Sequence, residues 1–251
     1  MCSVVVLRRS GHPWPLILGA NRDERLGRPW RPPARHWPDR THVVGGMDEI
    51  AGGSWMAVND DGVVACVLNR EGTLGTMPGK RSRGELVLDA LDHADAAAAA
   101  RALVHLDPRA WRPFNLMVAD NRDAFFLSVP AEGARVRIEV LPEGVSMITA
   151  RELNDDRSPR IRFYRPLFAG SDAPDPDAGR WDAWQGLLGS RIWDGDAGPT
   201  GAMCVVTDTG FGTVCSALLA LPAMDREGAR TVWRFCPGRP DQAGWKDLDL
   251  A

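Results

Sequence analysis

Short runs of β-branched and apolar residues recur along this chain, and turn chemistry rather than helices separates most neighbouring runs. That spacing favours antiparallel sheets over a βαβ array. Strands are expected at 2–7, 15–20, 54–58, 63–68, 115–120, 124–129, 136–141, 146–150, 203–208 and 213–218. Helices are expected in fewer places. Ser82-Arg83-Gly84-Glu85 has the form of a capping box ahead of an apolar run to Leu91. An alanine-rich stretch at 94–103 opens on Asp95, and 158–168 and 181–188 have helical character. With 251 residues and no internal repeat, a single domain over 1–251 is expected, large enough to bury a real core.

Composition removes several classes of function. A net charge of −3 gives neither a nucleic-acid footprint nor a polybasic membrane patch. No apolar run approaches the about 20 residues that a membrane span needs. Val4-Val5-Val6-Leu7 is too short for a secretory signal, and Arg8-Arg9 follow it instead of preceding it. Five cysteines form no CxxC pair and no metal-ligand spacing with the five histidines, so no metal site is expected. Scattered thiols in odd number fit a reducing cytoplasm. Ten tryptophans against one tyrosine suit a core or an apolar pocket.

Two hairpins bring polar residues together. Gly11-His12-Pro13 supplies a turn between the first two runs, and pairing centred there makes partner numbers sum to roughly 23–25 in a regular ladder. Cys2 then lies opposite Asn21, Arg22 or Asp23. In the second hairpin Asn59-Asp60-Asp61-Gly62 is the turn, and the same arithmetic sets Asn69 beside Gly52-Gly53. A neutral amide at a strand end is a fitting oxyanion donor.

Cys2 has a special chemistry. It is small enough for methionine aminopeptidase to remove Met1, which leaves a cysteine at the mature N-terminus. A thiol of pKa about 8.5 then sits beside an α-amine of about 7.7–8.0, so the amine can take the thiol proton. Asp23, at the open end of the same ribbon, is placed to orient that amine.

Met1-Cys2, Ala20-Asn21-Arg22-Asp23-Glu24 with Arg28-Pro29, Gly52-Gly53-Ser54-Trp55, Leu68-Asn69-Arg70, Ser82 to Val87 and Phe114-Asn115-Leu116 stand in one order. Together they resemble the NRDE family, also called transport-and-Golgi-organisation-2-like. That family looks related to N-terminal nucleophile hydrolases, in particular the penicillin V acylase and bile-salt hydrolase group. The resemblance implies an α+β fold, a four-layer αββα sandwich of two mainly antiparallel sheets, with Cys2 opening a central strand. It assigns Cys2 as nucleophile, Asp23 as the carboxylate that holds the amine and Asn69 as the oxyanion amide. Asn21, Arg22, Gly53, Trp55 and Arg70 are the candidate substrate contacts. The chain departs from the pattern in three places. Ala20 stands where the acylase group has an arginine, Thr149-Ala150 where the family often has Ser-Asn, and Gly201-Ala202 where it often has Thr-Arg.

Three readings follow. The first is a cysteine hydrolase of a non-peptide amide or related acyl bond, a C–N hydrolase acting on a small molecule without a cofactor. The second is a non-catalytic carrier of haem or lipid on the same fold, with His12, His36, His42, His93 or His105 as candidate axial ligands. The third is a hydrolase fold whose site now serves only structure. The oligomeric state is not legible.

Overall fold

The computed structural model describes residues 2–130 and 135–250. In chain order the strands are β1 (Ser3–Arg8), β2 (Leu16–Arg25), β3 (Trp30–Ala34), β4 (Val43–Asp48), β5 (Ser54–Asn59), β6 (Val64–Asn69), β7 (Phe114–Ala119), β8 (Ala124–Val129), β9 (Arg137–Val140), β10 (Gly144–Ile148), β11 (Phe211–Leu221), β12 (Val232–Cys236) and β13 (Lys246–Asp247). The helices are α1 (Gly84–Leu91), α2 (Ala96–Leu103), α3 (Pro159–Gly170) and α4 (Asp182–Leu188). The chain forms two compact units: Met1–Arg28, Pro142–Thr149 and Leu153–Ala251 make the first, and Pro29–Leu141 with Ala150–Glu152 the second.

The first unit is a six-stranded antiparallel sheet in the order β10-β1-β2-β11-β12-β13. β1 and β2 pair as Ser3↔Asn21 and Val4↔Ala20, a sum of 24 that falls within the expected range. β2 runs past its expected end at Ala20, because β11 pairs with it as far as Arg25 and the polar side chains find partners inside the fold. α3 and α4 cover one face. Ile161, Tyr164, Phe168, Trp184 and Leu188 pack there against Val5, Ile17 and Leu218. Gly19 permits that approach, since a Cβ on it would stand 3.2 Å from the Trp184 ring.

One expected strand is absent. Residues 203–208 contribute only an isolated bridge, Val206↔Gly212. The Val205 N–H is taken by the Thr213 hydroxyl at 2.8 Å and the Met203 carbonyl by the Asn21 amide at 2.9 Å, which leaves little backbone for a ladder.

The second unit is a seven-stranded meander, β3 to β9 in sequence order. β3 and β4 were not expected. The Pro32-Pro33 pair of β3 argues against a central strand, but β3 lies on the sheet edge, where a missing N–H breaks no ladder. β5 and β6 pair as Met56↔Cys66, which continues to Gly53 opposite Asn69 as the arithmetic required. α1 and α2 bury Leu86, Val87, Leu91, Ala99 and Leu103 against Val63, Leu116 and Leu127 of the sheet region. The capping box forms in altered shape: Ser82 Oγ accepts from Gly84 N at 3.2 Å, and Glu85 reaches back to Ser82 N at 3.1 Å. At α2, Asp95 caps the Ala98 N–H at 2.6 Å. Each unit is thus a sheet faced by a helix pair.

Candidate active site

The first unit carries Cys2 and Asp23. Continuing the β1–β2 register places Cys2 opposite Arg22, with its half-buried thiol donating to the Asp23 carbonyl at 3.6 Å. Residues alternate across β2. Asn21 and Asp23 therefore turn toward the helices, while Arg22 shares the other face with Cys215, its partner on β11.

The Asp23 side chain is fully shut from solvent, so its charge must be answered inside the protein. Thr213 Oγ1 donates to Oδ1 at 2.6 Å, and Arg160 Nη1 donates to Oδ2 at 2.9 Å. The same guanidinium donates to Ser3 Oγ and to the Thr200 carbonyl, each at 2.6 Å. Arg160 stands in the first turn of α3, one helical row with Tyr164 and Phe168, both core residues. That row was the sequence signal for it: an arginine on an apolar stripe must find a buried anion. Thr213 and Ser3 carry no comparable signal, since their roles depend on strand register.

The thiol is not a standing thiolate. Burial pushes the Cys2 pKa up and the Asp23 carboxylate adds to the rise, while the hydrogen bond to Asp23 and the charge of Arg22 act the other way. Desolvation also raises Cys204, to about 12, and Cys215 and Cys236. Those three and Cys66 are buried, so Cys2 is the most exposed of the five thiols.

Asn21 is enclosed. Its amide nitrogen donates to the Leu188 and Met203 carbonyls at 2.9 Å each, and its oxygen accepts from Ser216 Oγ at 2.6 Å. Gly201, at a position expected to be polar, has no room for a side chain, since a Cβ there would fall 2.7 Å from that of Ala197.

In the second unit Asn69 ends β6, half-buried and opposite Phe114. The glycine beside it is packed by protein: a Cβ on Gly53 would stand 2.5 Å from the backbone of Gly84 at the start of α1. Trp55 lies over Gly46 and meets Trp30 edge to face at 5.6 Å. Arg70 spends its fork on Asn115 Oδ1 at 2.7 Å and on the Glu152 carboxylate. Ala150 is buried in the same unit, and its carbonyl accepts from Glu71 N at 3.1 Å. Among the histidines, His12, His36 and His42 each use a ring nitrogen on a backbone group nearby. Among the described residues no group of three or more His, Cys, Asp or Glu could hold a metal ion, and no helix is long and apolar enough to cross a membrane.

Two antiparallel sheets, each faced by its own helix pair, with a cysteine leading into the inner strand β1, define the class: an α+β fold of the kind seen in N-terminal nucleophile hydrolases. Solved structures bear this out. A Caenorhabditis elegans ortholog of N-acylethanolamine-hydrolyzing acid amidase matches with a TM-score of 0.59 at 15% identity, over 99% of this chain and 100% of its own. The conjugated bile acid hydrolase of Clostridium perfringens matches as its R18L variant, with a TM-score of 0.56 at 13% identity over 99% of this chain and 94% of its own. Its C2A mutant gives 0.53 at 12%, over 100% and 94%. No curated protein sequence matches. The family model described as Transport and Golgi organisation 2 covers residues 1–169, and the chain belongs to that family.

Proposed function

We propose that this protein is a cysteine N-terminal nucleophile hydrolase that cleaves a non-peptide amide or related acyl bond of a small molecule. The observation that carries this reading is the Cys2 thiol on the backbone of Asp23, whose buried carboxylate is held by two donors. Loss of Met1 frees the Cys2 amine. The neutral amine accepts the thiol proton, and the thiolate attacks the carbonyl to form a carbon–sulfur bond. The ammonium returns that proton to the departing nitrogen as the C–N bond breaks, and water then hydrolyses the thioester.

The raised thiol pKa supports the need for that base, because few thiolates form near neutral pH without one. Asn69 is assigned to the oxyanion on the family pattern, supported by its half-buried place at a strand end. Arg22 and Trp55 are retained as substrate contacts. Asn21, Gly53 and Arg70 are assigned to holding their own units together, since their polar groups or open faces are already filled by protein. The same chemistry belongs to a protein that works without a cofactor, and cytoplasmic residence fits its free thiols.

The test is a panel of N-acylethanolamines and amide-conjugated bile acids, offered to processed protein and to Cys2→Ala. Turnover that vanishes with Cys2→Ala supports the reading. Turnover that survives it, or stoichiometric binding of haem or lipid with no turnover of any amide, overturns it.

A further inference from the structure

The family pattern leads one to expect an arginine either three residues before Asp23 or in the segment around 201, and this chain has Ala20 and Gly201-Ala202 there. A guanidinium nevertheless reaches the same carboxylate. It comes from α3, a separate element, and it also grips the Thr200 carbonyl, in the segment whose side chains lack one. Arg160 is 4% exposed and makes three different kinds of contact: to a carboxylate, a hydroxyl and a carbonyl.

This placement has a consequence for the amine. A lone buried aspartate beside an N-terminal amine would hold the amine as ammonium, because an opposite charge within reach favours the charged form. An ammonium cannot accept the thiol proton. Arg160 answers the aspartate's charge at Oδ2 and Thr213 donates to Oδ1, so Asp23 keeps acceptor capacity for a hydrogen bond with less charge left over for ion pairing. The charged or titratable groups facing this point are Cys2 on the lead into β1, Arg22 and Asp23 on β2, Arg160 on α3 and Cys215 on β11.

We propose that Arg160 is a positioning residue that neutralises Asp23, so that the freed Cys2 amine stays an unprotonated base near neutral pH. This rests on the reading of Cys2 as nucleophile, but its test needs no substrate.

The rate at which iodoacetamide alkylates Cys2 in the processed protein is followed against pH, with the site checked by peptide mass. Arg160→Gln keeps hydrogen-bonding groups and loses the charge; Arg160→Lys keeps the charge and loses the fork. In Arg160→Gln the midpoint rises by about one pH unit, a near tenfold loss of rate at pH 7, because a lost positive charge favours the protonated forms of amine and thiol. Arg160→Lys stays close to the wild type. An unmoved midpoint in folded Arg160→Gln, or an equal shift in both variants, overturns the proposal. If Arg160→Gln does not fold, Thr213→Val, which strips the other donor from Asp23, carries the test: a smaller rise supports the proposal and no rise overturns it. An unmoved midpoint together with Cys2-dependent turnover sinks this role for Arg160 alone. A moved midpoint with no amide turnover sinks the hydrolase reading instead.

Discussion

Thr213 shows how much one side chain does at the centre of the first unit. Its hydroxyl donates to Asp23 and accepts from the Val205 N–H, so Thr213→Val takes a donor from the carboxylate and an acceptor from the backbone together. An unsatisfied buried group costs about 1–3 kcal/mol, and a loss of that order is expected in denaturant unfolding. Asn69→Ala is expected to lower kcat by about 10²–10³ with KM little changed, which steady-state kinetics on any accepted amide would check. At this scale the nearness of Cys2 to Asp23 was legible, because strand arithmetic sets the one close to the other. Arg160 was missed, although its place on a stripe with Tyr164 and Phe168 was a signal that could have found it. Its partner, 137 residues away in sequence, depends on how α3 lies on the sheet, which no local pattern encodes.

The elements were readable wherever local chemistry and tertiary demand agreed. Both hairpins kept the register their turns dictated, and β8 matches its expected bounds (124–129) because a mostly apolar run, Ala124–Val129, is closed by Pro130. β3 was hidden by its prolines, and β2 outran its apolar part since β11 pairs its polar end as far as Arg25. Residues 203–208 look like a strand by composition, yet side chains claim their backbone. The contact between the start of β5 and the start of α1 rests on two glycines. A methyl group at Gly53 would collide with the Gly84 backbone, so Gly53→Ala is expected to cost about 1–3 kcal/mol in denaturant unfolding, the range for overpacking. Gly11→Ala offers a contrast: nothing lies near its Cβ position, and only the positive φ of +76° is strained.

Across the whole molecule, desolvated thiols are expected to weaken the fold at alkaline pH. Folding raises Cys204 from an ordinary 9.0 to about 12, through burial first and then the neighbouring Asp241 carboxylate, and it raises Cys2, Cys215 and Cys236 as well. Unfolded thiols therefore lose protons that folded ones keep. The stability tied to Cys204 is complete below the unfolded value near 9 and is lost as pH rises toward 12. Urea midpoints should fall between about pH 8 and 11, and Cys204→Ala should flatten that fall. The α+β class and the family were legible over the first part of the chain, where the ordered motifs lie, and the family match likewise ends at residue 169. Beyond it the sequence offers few motifs, since the work there is done by packing, as in Trp184 under Gly19. The central claim, a free cysteine made reactive by its own amine, meets its most direct test in the intact mass of the native protein before and after brief alkylation at neutral pH, with the label located by peptide mass. The account predicts a chain that starts at Cys2 and takes its first label there, ahead of the four buried thiols. A chain that retains Met1, or a first label on Cys66, Cys204, Cys215 or Cys236, would contradict it.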